Sequence, residues 1–224
     1  MRPSLHLALS IALILLAPAV LAADRDISKV NGSVTVEDNG RAGDLETVNG
    51  SIRVGDHARA GDATTVNGSI RVGASSQVGD LTTVNGGIRV EPDTQVNGDV
   101  ETVNGGIFIG RGGKVRGGVE TVNGAIGLVD VDLGGGIETV RGDITVGAGS
   151  HVRGGIHYPK PSKEWVTLSA RKDPRVIIGA NAVVEGPLLF ERKVQLYVHE
   201  SARIGTVTGA QAQRYSGAKP ALKD

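Results

Sequence analysis

The chain has 224 residues, and its 24 Lys and Arg balance its 24 Asp and Glu, so bulk charge does not predict a nucleic-acid or membrane-surface partner. It has no Cys, which excludes disulfides and lipid attachment at an N-terminal cysteine. Only 3% of its residues are aromatic and 34 are Gly, so its core must be built from Val, Ile, Leu and Ala in thin, regular layers.

Residues 1–22 have the features of a secretory signal peptide. Arg2 supplies a positive start, LHLALSIALILLA supplies an apolar run, and VLA ending at Ala22 offers small residues for cleavage. The apolar run is short for a permanent membrane span. We therefore predict a periplasmic or secreted bacterial protein with no transmembrane span after signal removal.

A repeat of about eighteen residues governs most of the chain. ETVNGSIRV at 46–54 returns as TTVNGSIRV at 64–72 and TTVNGGIRV at 82–90, with weaker copies before and after. The repeated asparagines, 18 or 19 positions apart, are Asn31, Asn49, Asn67, Asn85, Asn104 and Asn123, and Arg141 takes the next place. Fixed periods of this length are typical of solenoids.

A finer beat of six residues divides each repeat into three. It runs through small apolar residues such as Val30, Val36, Ala42 and Val48, and neither a helix nor a single strand has this period. We predict an all-β fold, a single-stranded parallel β-helix in the form of a triangular solenoid with about 18 residues per coil. Right-handed crossovers are slightly favoured, and handedness stays open.

The repeat also predicts which side chains point inward. We expect one residue of the six-residue ladder per side, including Val30 and Val48, to face the axis, with further inward columns beginning at Leu45 and Ile52. The threonines that precede the ladder valines, beginning with Thr47, are then expected to face outward. The Asn-Gly pairs are predicted to turn one corner and to form a structural ladder of stacked amides, and the GD pairs mark another corner.

The division of the chain into segments follows from where the six-residue period is kept. The repetitive solenoid is predicted over 23–157, and residues 158–175, rich in Pro and Lys, are predicted to leave it. The six-residue beat returns with larger side chains over 176–208, which we expect to form C-terminal coils or a cap, with Trp165 covering an open side. Residues 209–224 are predicted to be a flexible tail.

The alternation of VNGSI with AGD or VGD resembles the bactofilins, the polymer-forming cytoskeletal β-helices. It is also similar to secreted adhesin-type families whose repeats contain TVNGSI. The resemblance covers about 27–156, with a weaker echo at 176–208. The bactofilin resemblance implies a right-handed β-helix that assembles end to end without nucleotide or catalytic residues. This chain departs from the resemblance by carrying an export signal, whereas bactofilins typically act on the cytoplasmic side.

One candidate ligand-binding feature is a ladder of arginines. Arg53, Arg71 and Arg89 lie one repeat apart, so the solenoid would place their guanidinium groups in a line that could contact an anionic glycan. Stacked like charges repel, so we expect the ladder to be solvated and partly neutralised by acidic neighbours.

No residue pattern predicts catalysis, a cofactor or a metal site. The six-residue beat also resembles hexapeptide acyltransferases, which implies a histidine base, and the candidates are His57, His151, His157 and His199. None has a partner in its sequence neighbourhood, and His151 with His157 lack visible further metal ligands.

Three functions follow, in order of preference. The first is a non-enzymatic scaffold of the bacterial envelope that self-associates through its coil ends, beginning with the open edge near Ile27. The second is an adhesin-like or glycan-binding module that uses the arginine ladder, with a glycan or protein of the envelope as partner. The third is an acyltransferase of the hexapeptide type.

Overall fold

The computed structural model describes residues 24–160 and 173–221, which form three parallel β-sheets stacked as the sides of a solenoid. This confirms the predicted fold class. The first face has ten strands: β1 Ile27–Asn31, β3 Leu45–Asn49, β5 Ala63–Asn67, β8 Leu81–Asn85, β11 Val100–Asn104, β14 Val119–Asn123, β17 Ile137–Arg141, β20 Ile156–Tyr158, β23 Leu188–Phe190 and β26 Val207–Thr208.

The other two faces complete each coil. The second face has ten strands: β2 Val34–Val36, β4 Ile52–Val54, β6 Ile70–Val72, β9 Ile88–Val90, β12 Ile107–Ile109, β15 Ile126–Leu128, β18 Ile144–Val146, β21 Arg175–Ile178, β24 Gln195–His199 and β27 Ala212–Tyr215. The third face has seven: β7 Gln77–Val78, β10 Gln95–Val96, β13 Lys114–Val115, β16 Asp132–Leu133, β19 His151–Val152, β22 Val183–Val184 and β25 Arg203–Ile204. Among the described residues there is no helix with the length and apolarity to cross a membrane.

Every strand pairs with the equivalent strand of the next coil. Asn67 lies beside Asn85 and Val100 beside Val119, so the repeats of the sequence become columns of like residues. Neighbouring strands lie about 4.8 Å apart, and ten coils therefore make a rod on the order of 45 Å long.

The predicted excursion falls at one corner of a single coil, and its residues 161–172 lie outside the described part of the chain. It lies between β20 and β21, and pairing resumes in register on both sides, with Ile156 beside Leu188 and Ile144 beside Val176. Asp143 holds its far end, because its carboxylate accepts hydrogen bonds from the Arg175 amide at 2.8 Å and from that guanidinium. Trp165 lies outside the described residues.

The segment predicted to be a tail contributes the last strand. β27 pairs with β24 over four residues, and the hydroxyl of Tyr215 donates a hydrogen bond to the carbonyl of Ile178 at 3.2 Å. The ring of Tyr215 also packs edge-on against His199. The solenoid therefore continues beyond residue 208.

The core contains the predicted apolar columns, with one correction on the first face. The columns that begin at Leu45 and Ile52 are buried, as is Val36, but Val30 is 67% exposed and Val48 is 38% exposed. The prediction that these valines face inward was wrong, as was the prediction of outward threonines. Six threonines are buried instead: Thr47, Thr65, Thr83, Thr102, Thr121 and Thr139.

Hydrogen bonding explains why threonine is inside and valine outside. The hydroxyl of Thr65 donates to the carbonyl of Gly50 in the preceding coil at 2.8 Å, and Thr83 does the same to Gly68 at 2.8 Å. Thr47, Thr102 and Thr121 bind the corner carbonyl of the preceding coil in the same way, whereas Thr139 donates to the carbonyl of Arg141. Valine would leave these corner carbonyls unpaired. The first-face strand has five residues, and alternation along it places its first and third residues inward.

The glycine of the Asn-Gly corner is required by stacking. At Gly50, Gly68, Gly86, Gly105 and Gly124 an added Cβ would lie well under 3.0 Å from the carbonyl oxygen of the corner glycine one coil earlier. Of this column only Gly32 and Gly142 have a positive φ, 103° and 141°. Left-handed backbone is instead concentrated between the second and third faces, at Asn39, His57, Ser75, Asp93, Asp130 and Asn181. Most of the Asn-Gly corners are therefore turned without left-handed backbone.

Replacing Gly68 by Ala should destabilise the rod strongly, because the new methyl group would collide with the backbone of Gly50. We expect the free energy of unfolding to fall by about 3 kcal/mol. Gly127→Ala is the matched control, since its Cβ would meet only the Phe108 ring at an ordinary 3.4 Å. Chemical denaturation of both variants measures this difference. Equal stabilities would contradict the steric account.

Candidate functional site

The outward column of the second face carries the predicted arginine ladder. Arg53 lies beside Arg71, and Arg71 beside Arg89, so the structure brings the three together one coil apart. All three are exposed. The full column, in coil order, is Thr35, Arg53, Arg71, Arg89, Phe108, Gly127, Thr145, Ile177, Tyr197 and Gln213.

Neutralisation by acidic neighbours occurs at one arginine of the three. Arg89 pairs with Glu91 at 2.9 Å, and its guanidinium carbon lies 4.4 Å from the centroid of the Phe108 ring. This stacking is a cation–π contact. Arg53 and Arg71 form no ion pair with any residue of 24–160 or 173–221. Within the part of the chain that the structure describes, two adjacent guanidinium groups are thus stacked without an acidic partner.

Beyond Arg89 the second face becomes a shallow recess of about 490 Å³. Its lining includes Arg71, Arg89 and Phe108, and Gly127 leaves the side of the ring away from Arg89 open. The recess therefore combines cations with a half-buried aromatic ring. This combination suits an anionic group attached to an apolar body.

The predicted asparagine ladder runs along the corner between the first and second faces. Each amide nitrogen donates to the amide oxygen of the asparagine one coil earlier, at 2.9–3.0 Å, through Asn31, Asn49, Asn67, Asn85, Asn104 and Asn123. A second ladder lies at the corner between the third and first faces. There the Asp44 and Asp62 carboxylates each accept the backbone amide one coil later at 2.9 Å. Both ladders use their hydrogen bonds to join successive coils of the rod.

The first face presents two parallel outward columns. One is acidic in its middle, where Glu101, Glu120 and Glu138 lie side by side. The other is the displaced valine column, of which Val103 is 37% exposed. The face therefore combines a line of carboxylates with an apolar stripe. Single exposed apolar residues are ordinary, but a continuous row of them marks an interaction surface.

The acidic column is electrostatically unfavourable. Partial burial raises the pKa of Glu120, and the negative charges of Glu138, Glu101 and Asp99 raise it further. Neither Glu101 nor Glu120 has an ion-pair partner within the described ranges. Among the described residues, the negative charge in the middle of the first face thus has no compensating ion pair at Glu101 or Glu120.

A histidine ends the acidic column at the base of the insertion. Nδ1 of His157 lies 2.9 Å from Oε2 of Glu138, and its Nε2 lies 3.2 Å from Oε1 of Glu191. The hydrogen bond with Glu138 is the main cause of the raised pKa of His157, and Glu191 adds to it. The backbone amide of Lys160 and then His157 lower the pKa of Glu191. The three side chains form an ion-paired cluster.

Tyr158 continues the buried threonine column where the insertion begins. Its hydroxyl donates to the carbonyl of Gly142 at 2.6 Å, the same type of corner carbonyl that the threonines bind. Burial raises its pKa. The next member of the column, Phe190, packs on it with ring centroids 5.8 Å apart. The larger side chains of the C-terminal coils therefore begin at this point.

The other candidate histidines lie apart from one another. His57 occupies a left-handed turn position, with φ of 55°. His151 is on the third face, where Nε2 lies 2.7 Å from Oε1 of Glu185, and His199 contacts Ser201 and Tyr215. No group of three or more potential metal ligands occurs in the described part of the chain.

Three features of the surface escaped the sequence analysis. The sequence does not distinguish the outward valines from the inward threonines, because Val and Thr have similar shapes and occupy adjacent positions. Phe108 is a single departure from the arginine column and becomes meaningful only when the register sets it beside Arg89. The register also reveals that Gly127 leaves space beside the ring, whereas in the sequence it is one glycine among many.

Comparison with protein-family models, curated proteins and solved structures gives no match for this chain. The resemblance to bactofilins and to adhesin-type repeats thus stays a prediction from the repeat.

The His157 cluster should make stability depend on pH. A raised pKa means that protonated His157 stabilises the fold fully below its ordinary value of 6.5, and that this contribution is lost as pH rises through the raised value. We expect the melting temperature to fall modestly over that interval. His157→Gln should flatten this dependence, whereas His57→Asn, which preserves the left-handed turn, should leave it unchanged. A wild-type slope retained in His157→Gln would contradict this assignment.

Proposed function

We propose that this protein is an exported, non-enzymatic scaffold of the bacterial envelope, and that its rods join one another through the ends of the solenoid. The observation that carries the proposal is the state of those ends. The first and second sheets stop at β1 and β2 on one side and at β26 and β27 on the other. A strand at a sheet edge presents a row of unpaired amides and carbonyls, which readily pair with another strand.

Apolar side chains at both ends support end-to-end contact. Ile27 at one end, and Ile204 and Val207 at the other, pack on the core while remaining partly exposed. Inside the rod, the next coil covers the equivalent apolar residues of each coil. A second copy added at an end would cover these exposed residues in the same way. Removal of residues 1–22, as the sequence predicts, would leave β1 close to the new terminus.

The regular length of the rod also suits a spacer. Three sheets with constant register give a stiff body, and the hydrogen-bonded corner ladders resist local bending.

Val30→Pro should block joining at the β1 end. The amide of Ile27 bonds to Asp44 in the neighbouring strand, and amides alternate along a strand, so the Val30 amide faces the open edge. Proline is tolerated where an edge amide faces solvent, and it removes the donor that an incoming strand needs. We expect concentration-dependent end-to-end filaments or dimers for the wild type in sedimentation velocity and electron microscopy, and no end-to-end joining for Val30→Pro.

Val30→Ala is the control, because it trims the same side chain but keeps the amide. It should associate like the wild type. Wild-type rods that never join end to end at any concentration would overturn the proposed function, as would unchanged end-to-end joining of a folded Val30→Pro variant.

A further inference from the structure

Two unpaired columns of opposite charge lie on adjacent faces of the rod. The second face offers Arg53 and Arg71, and the first face offers Glu101 and Glu120. Each stack of like charges is unfavourable by itself. Within the described ranges neither pair of side chains forms an ion pair.

We propose that the arginine column of one copy binds the glutamate column of a second copy, so that rods pair side by side. The proposal rests on the scaffold function and adds a lateral contact to it. Arg53 would meet Glu101 and Arg71 would meet Glu120 of the second rod. The spacing matches without adjustment, because the same coil rise of about 4.8 Å sets both columns.

The internal partners of the flanking residues select a parallel arrangement. Arg89 is engaged by Glu91 and Phe108, and Glu138 is engaged by His157. In the parallel register the two free arginines face the two free glutamates, while Arg89 and Glu138 face each other at one end. An antiparallel register can also pair Arg53 with Glu120 and Arg71 with Glu101. It would then place Arg89 opposite Thr82 and Glu138 opposite Thr35, so the parallel register is the one that adds a third pair of opposite charges.

The apolar stripe next to the glutamates favours a protein partner over a polysaccharide. Val103 is exposed beside Glu101 on the same strand, and Val122 lies half-buried beside Glu120. The methylene stems of arginines can cover such valines while their guanidinium groups reach the carboxylates. An acidic polysaccharide would be repelled by the glutamates and would meet only the arginines.

The pairing has a geometric consequence. The arginines lie in the coils of β4 and β6 and the glutamates in the coils of β11 and β14, three coils further along. Paired rods are therefore offset by about 14 Å. Because the two surfaces differ, the contact is heterologous and leaves a free column on each rod, so further copies can add.

The test is reversal of charge on one column at a time. Arg53→Glu with Arg71→Glu should weaken side-by-side association roughly tenfold or more, and Glu101→Arg with Glu120→Arg should do the same. An equal mixture of the two variants should restore it, because each then supplies the charge that the other needs. Sedimentation velocity measures association, and electron microscopy distinguishes offset pairs from end-to-end rods.

Controls separate this contact from the ends and from nonspecific charge. Arg59→Glu, on the third face, should pair like the wild type. About 0.5 M NaCl should dissociate side-by-side pairs of wild-type rods. Both arginine-reversed and glutamate-reversed rods should still join end to end, whereas Val30→Pro should still form offset pairs, so the two contacts fail independently.

Three results would overturn the proposal. The first is wild-type protein that never forms offset pairs, and the second is unchanged pairing of the arginine-reversed variant. The third is pairing that fails to return in the mixture although both variants remain folded. Binding of an acidic polysaccharide through Arg53 and Arg71, without pairing of rods, would assign the column to a glycan instead.

Discussion

The structure depends on one constraint: every residue must stack on its counterpart in the next coil, about 4.8 Å away. A residue type that stacks well on itself is therefore selected over and over. Asparagine forms an amide ladder, aspartate accepts the next backbone amide, and threonine reaches the corner carbonyl. At Gly68 the same constraint excludes every side chain, because the corner of the adjacent coil occupies the space of a Cβ.

The stacking also creates the surfaces that we assign to function. A single exposed arginine or glutamate would be ordinary, but repetition turns it into a charged line. Where the repeat changes, the surface changes with it: Phe108 ends the arginine line, and His157 ends the glutamate line. Function in such a rod is therefore encoded by departures from the repeat as much as by the repeat itself. The two sheet ends are the largest departure, since there the stacking stops.

The fold could be predicted because the repeat period and the buried columns follow from counting. The orientation of the first face could not, because Thr47 and Val48 are adjacent and both suit a strand, and only the hydrogen bond to Gly32 decides between them. The position of the arginine ladder followed from the same counting. The recess beside Phe108, and the lack of ion-pair partners at Arg53 and Arg71 among the described residues, could not be predicted. Both depend on the register of three separate strands.

Deletion of one whole coil tests the stacking constraint most directly. Removing residues 64–81 joins Ala63 to Thr82. Thr82 is the counterpart of Thr64 in the next coil, so every column is preserved. We predict that thermal unfolding of this variant stays close to that of the wild type. Removing residues 64–80, one residue fewer, shifts the following coils and should lower the melting temperature sharply. Equal effects of the two deletions would contradict the account.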